Sequence, residues 1–247
     1  MKRKKSPKRN KEIFFLAGFP RAGNTILTSI LNQNPDIGCT PNSITLDIIK
    51  DIILLKQTDV FLNYPDHKSL DNVLNSVFHI YYKDWNYKYI IDRGPAGTPG
   101  NLKEILASWI DWAKKTPDNY IRKLGNPIEA CHKLMEPDAQ IVRQLNCMHN
   151  LLKPENKHHV HFIDYDEIVS KPKETVAGIY EFLGIPKFKH NFKTFTQIKI
   201  NDISYDDNIY GGNIHTIRTN GLTKIKRDIT KVLDKEIIET YGKIQFV

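Results

Sequence analysis

Residues 13–17 read Ile-Phe-Phe-Leu-Ala, an unbroken apolar run that stops at Gly18 and Pro20. A run of this length without polar alternation marks a strand buried on both faces, an environment found almost only in parallel sheets covered by helices. From Asn24 to Asn32 the apolar residues Ile26, Leu27, Ile30 and Leu31 recur at helical spacing, and Asn34-Pro35 closes the pattern. Strand, glycine-bounded loop and helix therefore follow one another directly, and a chain that begins this way is directed toward α/β layering.

The rest of the chain continues the alternation. Amphipathic stretches at 45–55 and 70–85 lead to a second strand-like run, Tyr89-Ile90-Ile91, which ends at Asp92-Arg93-Gly94-Pro95. Residues 94–100 are turn chemistry. Leu102, Ile105, Leu106, Trp109 and Ile110 then mark a helix, and another is expected over 138–152. Residues 160–163 read as a third strand. A helix follows with Pro172 in its first turn, Val176, Ile179, Tyr180 and Leu183 on its apolar face, and Gly184 with Pro186 at its stop.

Charge is concentrated at one end. The formal net charge is +8, yet seven of the 36 Lys and Arg residues lie within residues 1–11, leaving 29 against 28 acids elsewhere. That stretch is expected to be a disordered tail offering weak contact with anionic surfaces, and the near-neutral body argues against a specific nucleic-acid partner. Residues 12–247 then read as a single domain. Cys39, Cys131 and Cys147 are far apart and unpaired by motif, so neither a disulfide framework nor a zinc site is indicated and a reducing, cytoplasmic setting is expected. Asp164-Tyr165-Asp166 and the His158, His159, His161 group imitate metal motifs but fall on the expected third strand and its flanking turns, so they read as structural.

The chemistry points to the first loop. Gly18-Phe19-Pro20-Arg21-Ala22-Gly23-Asn24-Thr25 has the glycine spacing of a Walker A loop, with Asn24 where that motif requires Lys. Such a turn still suits an anion. Backbone N–H groups of Ala22, Gly23, Asn24, Thr25 and Ile26 can converge on it, the helix dipole adds positive potential, and Arg21 supplies a full charge. The expected fold is accordingly three-layered and of P-loop type, with a mostly parallel sheet flanked by helices.

The segment GFPRAGNTILTSILNQNP resembles the 5′-phosphosulfate loop of the sulfotransferases that use PAPS (3′-phosphoadenosine-5′-phosphosulfate), whose pattern is close to P-[KR]-[SA]-G-[TN]-T. Three further segments follow in the family's order. Residues 160–186, VHFIDYDEIVSKPKETVAGIYEFLGIP, are similar to its YEDL strand and the helix ending FLG-[IL]-P. KEILASW is similar to the helix whose Ser contacts the 3′-phosphate, which would give that role to Ser108. Arg218-Thr219-Asn220-Gly221 resembles the R-K-G element on the same phosphate, which would assign Arg218 and Gly221. The resemblance implies transfer of a sulfonate from PAPS to a hydroxyl or amine on a small-molecule or glycan acceptor, with PAP as product and no metal. Arg21, and Arg93 through the family's K-x-P segment, would then stabilise charge on the leaving phosphate; an ion pair with Asp92 or another acid is the structural alternative for Arg93.

The sequence also departs from the family. Only fourteen residues separate Arg93 from Ser108, too few for the family's usual helix and Arg-bearing strand, and Gly100 stands where that Arg is expected. The family's His or Glu base has no counterpart in residues 39–43. Asp47 is the next carboxylate, although it is equally suited to begin a helix, and His79 and His215 are weaker candidates. Two rival classes remain open on these grounds. One is a P-loop kinase or NTPase, opposed by Asn24 and the lack of a Mg²⁺-holding partner. The other is a shortened, inactive nucleotide-binding descendant.

Overall fold

The computed structural model describes residues 11–18, 23–94, 102–116, 120–210, 215–219, 221–223 and 227–244. In chain order the elements are β1 (Glu12–Ala17), α1 (Asn24–Leu31), β2 (Ile37–Cys39), α2 (Thr45–Leu54), α3 (Asp59–Asn63), α4 (His67–Tyr81) and β3 (Tyr89–Gly94). They are followed by α5 (Leu102–Lys115), α6 (Pro127–Leu134), α7 (Gln140–Leu151), α8 (Tyr165–Ser170), α9 (Pro172–Leu183), β4 (Lys199–Ile200), β5 (Ile203–Ser204) and α10 (Lys235–Tyr241).

The first three strands form one parallel sheet in the order β1-β3-β2, with Phe14 and Cys39 both in register with Ile91. Parallel strands need crossovers, and these are supplied by helices on both faces. Tyr89 and Ile91 of β3 join Leu16 of β1 and Leu27, Ile30 and Leu31 of α1 in a core completed by Ile168 of α8 and by Val176, Ile179 and Tyr180 of α9. On the opposite face Asp92 meets Thr45 and Tyr82, and Leu46 of α2 lies beside Gly94. Phe15 of β1 meets Phe78 of α4 edge-on at 4.9 Å. The expected α/β layering, with helices flanking a parallel sheet, is what the chain adopts.

A second core is helical. Leu106, Trp109 and Ile110 of α5 pack with Ile121, Cys131 of α6, Ile141 of α7 and Ile237 of α10. The start of α6 is locally specified by a capping box: Asn126 accepts from the Ile128 and Glu129 N–H groups while the Glu129 carboxylate accepts from the Asn126 N–H. No helix among the described residues is long and apolar enough to cross a membrane.

Several expectations need correction. Residues 160–163 do not form a strand. Val160 is extended, but the segment follows a 3₁₀ turn at Pro154–His159 and packs on α9, where the His161 ring stacks on Phe182. The sheet instead gains β2, a three-residue strand too short to show in an apolar pattern. The helix expected over 70–85 spans His67–Tyr81, because Asp66 caps it by accepting from the Ser69 N–H at 3.0 Å. Lys11, counted with the basic tail, donates to the carbonyls of Tyr82 and Lys83 at the end of α4, where a cation complements the helix dipole.

Candidate active site

In register, Ala17 of β1 pairs with Gly94 of β3, and Cys39 of β2 with Ile91, so the chain leaves all three strands at one carboxyl edge. Ligands in open α/β sheets collect at such an edge. After β1 the next described residue beyond Gly18 is Gly23, which has φ 82° and precedes α1. A Cβ at Gly23 would stand 2.4 Å from the Tyr165 ring, and one at Gly18 would stand 2.0 Å from Asn24 Oδ1. The left-handed φ favours glycine at Gly23, while a Cβ at Gly18 would require the Asn24 side chain to move; Tyr165, from the segment resembling the family's YEDL, lies against Gly23. Asn24 is buried and Thr25 and Ile26 half-buried in the first helical turn. Arg21 and Ala22 lie outside the described residues.

Arg93 ends β3 at the same edge. Its backbone N–H donates to Thr40 Oγ1 at 2.7 Å, and its Nη1 donates to the Pro41 carbonyl at 2.5 Å and to the Tyr205 hydroxyl at 3.1 Å. Tyr205 in turn donates to the Pro41 carbonyl at 2.8 Å. Burial raises the Tyr205 phenol well above its ordinary pKa, and the nearby guanidinium only partly opposes this, so the phenol stays protonated.

The alternative of an Arg93–Asp92 ion pair is not what forms. Asp92 Oδ2 accepts from Thr45 Oγ1 at 2.6 Å, Tyr82 Oη at 2.7 Å and Ser43 Oγ at 3.0 Å, all on the α2/α4 side of the sheet. Its Oδ1 is buried with no hydrogen-bond partner among the described residues.

Beside Arg93 lies a pair of which the sequence singles out only His215, as a weak candidate. Asp207 Oδ1 is 2.6 Å from His215 Nδ1, and its Oδ2 accepts from the His215 backbone N–H at 2.9 Å. The His215 ring stacks on Tyr205 with centroids 3.9 Å apart and planes 1° from parallel. Asp207, His215, Tyr205 and Arg93 thus form one connected cluster at the carboxyl edge.

The other expected residues are dispersed. Asp47 is exposed in the first turn of α2, in accord with a helix-starting role, and His79 is exposed in the last turn of α4. Ser108 is buried on α5 among the residues of the second core, not with α1. Arg218 is exposed, yet its segment is tied to α1. The Gly221 N–H donates to the Lys193 carbonyl, the Phe195 N–H to the Thr219 carbonyl, and Ser29 of α1 to the Thr196 carbonyl. Gly221, with φ 69°, takes a conformation that glycine favours.

The metal-like motifs have structural explanations: Asp164 caps α8 by accepting from the Asp166 N–H at 2.6 Å, and the His158 and His159 rings lie against each other. Among the described residues no three His, Cys, Asp or Glu side chains are placed to hold a metal. Cys39 is buried, and desolvation pushes its thiol up to about 12, so it is unreactive near neutral pH.

Residues 100–217 match the family model described as "Sulfotransferase domain". The matched stretch covers just under half of the chain and excludes the glycine loop at residues 18–23. Among solved structures the chain is similar to the "Sulfotransferase Domain from the Curacin Biosynthetic Pathway", at 16% identity over 96% of this chain and 93% of that chain, with a TM-score of 0.45. It is also similar to the "Sulfotransferase Domain from the Synechococcus PCC 7002 Olefin Synthase", at 14% identity over 100% and 93%, with a TM-score of 0.42. At these identities and scores neither likeness bears on activity. No curated protein matches the chain.

Proposed function

We propose that this protein transfers a sulfonate group from PAPS to a hydroxyl or amine of a small-molecule or glycan acceptor. The observation that carries the reading is the carboxyl edge of the sheet. There Gly23, in a left-handed conformation, opens α1, and Arg93 stands near the end of the adjacent strand. These features fit a phosphate-bearing donor, because a helix N-terminus and a guanidinium both attract an oxyanion.

The donor brings an already activated sulfonate. The residues of this chain would hold it in line with the acceptor and stabilise charge on the departing phosphate through Arg21, the loop N–H groups and Arg93. Ser108, Arg218 and Gly221 are assigned to the 3′-phosphate by resemblance, with Ile217 and Leu222, next to Arg218 and Gly221, in the core that α1 joins and α5 belonging to the other. In this reading residues 12–247 act as one unit, and the buried thiols of Cys39 and Cys131 accord with a reducing cytoplasmic setting.

The test is incubation with ³⁵S-labelled PAPS and a panel of primary alcohols, phenols and amines. Label should move to at least one acceptor class with PAP formed in equal amount, and ATP should yield no ADP. ADP formation from ATP without transfer of label would assign the loop to the kinase class instead.

A further inference from the structure

The reaction needs a group to take the acceptor's proton, and neither Asp47 nor His79 is built for it, each standing exposed on a helix. We infer that His215, held by Asp207 and stacked on Tyr205, is the proton acceptor in sulfonate transfer; this rests on the PAPS reading above. Asp207 grips His215 twice, at ring Nδ1 and at the backbone N–H, which fixes both the ring's position and its rotation. A carboxylate at 2.6 Å accepts the Nδ1 proton, so the neutral ring carries its basic lone pair on Nε2. The same carboxylate balances the imidazolium that forms when Nε2 is protonated, as in other carboxylate–histidine pairs used for general base catalysis.

Placement is the second half of the case. Asp207 and His215 side chains are only 15% and 12% exposed, so the pair is sheltered rather than a surface ion pair. Tyr205 connects it to the reaction edge, because the ring under His215 puts its hydroxyl on Arg93 and Pro41 at the ends of β3 and β2. Asp207 and Tyr205 are then positioning residues and His215 the catalytic one.

In the step, the acceptor oxygen or nitrogen forms its bond to sulfur as the bond between sulfur and the bridging phosphate oxygen breaks. The electron pair of that broken bond leaves on PAP. The acceptor's proton passes to His215 Nε2 and from there to solvent.

The experiment uses the full chain, ³⁵S-labelled PAPS, the same acceptor panel, and PAP calorimetry on every variant. His215→Asn should lower kcat by roughly 10²- to 10⁴-fold, with PAP affinity and donor KM unchanged and partial rescue by added imidazole. Ring ¹⁵N shifts of the wild-type protein should show His215 protonated at Nδ1, and Asp207→Asn should shift that tautomer while keeping PAP affinity. Undiminished turnover in His215→Asn, or a wild-type ring protonated at Nε2 alone, overturns the inference. Wild-type protein that binds PAP yet labels no acceptor class overturns the base assignment together with the transfer. Absence of PAP binding in the wild type instead overturns the donor reading on which it rests.

Discussion

At Asp92 a carboxylate with no solvent exposure accepts three hydroxyl hydrogen bonds on one oxygen, from Ser43, Thr45 and Tyr82. The network joins the end of β3 to the start of α2 and the end of α4, and so fixes the 40–45 segment next to Arg93. Removing the acceptor leaves the buried Thr45 and Tyr82 hydroxyls with only the half-buried Ser43 hydroxyl as a neighbour. Asp92→Ala should therefore lower stability by about 3 kcal/mol, read as a lower urea midpoint at unchanged slope. Retention of the wild-type midpoint would show that the hydroxyls find other partners. The sequence places Asp92 and Arg93 correctly at a strand end but cannot say which way each points. Strand alternation supplies that, sending Arg93 toward Pro41 and Tyr205 and Asp92 toward α2 and α4. The His215–Asp207 pair is still less legible, because its members lie in a stretch with no periodic pattern, and only their proximity in sequence hints at it.

Among elements, α1 and α9 are joined by a buried polar relay. Asn34 Nδ2 donates to the Tyr180 hydroxyl at 2.9 Å, and that hydroxyl lies 2.9 Å from His190 Nε2. A hydroxyl that accepts from Asn34 is free to donate to a neutral imidazole, and burial lowers the His190 pKa below its ordinary value of 6.5. The sign follows from linkage. The unfolded chain binds a proton that the folded chain resists, so the stability supplied by neutral His190 is present above about pH 6.5 and is lost as pH falls toward the lowered folded value. Urea midpoints should decline between about pH 7 and pH 5.5 in the wild type and less steeply in His190→Gln; parallel declines would remove His190 as the cause. The helices themselves were readable from spacing and stop signals, as Pro172 and Gly184 at the two ends of α9 show. The strands were less so. Residues 160–163 have the composition of a strand but lie against α9, and β2 is short enough that only its pairing with β3 reveals it.

For the whole molecule, the first core is discontinuous in sequence. Leu16, Leu27, Ile30 and Ile91 come from before residue 95, while Ile168, Val176, Ile179, Tyr180 and Ile217 come from after residue 160, with α5 to α7 between them building the second core. A fragment of residues 1–94 would keep all three parallel strands yet leave the α1 face of the sheet without α8 and α9. It should show no cooperative urea transition by circular dichroism, and a sharp transition would mean that the β1–α1–β3 unit is stable without them. The glycine loop at residues 18–23 and the family match over 100–217 likewise lie far apart in the sequence. The central claim is that the two converge on a PAPS-type donor, and it is tested most directly by calorimetric titration of the full chain and Arg21→Ala with PAP, with ATP as competing ligand. The expected result is PAP binding that exceeds ATP binding and weakens about ten- to a hundredfold in Arg21→Ala, the loss of one charge-assisted phosphate contact. Equal binding of ATP and PAP, or PAP binding indifferent to Arg21, would contradict it.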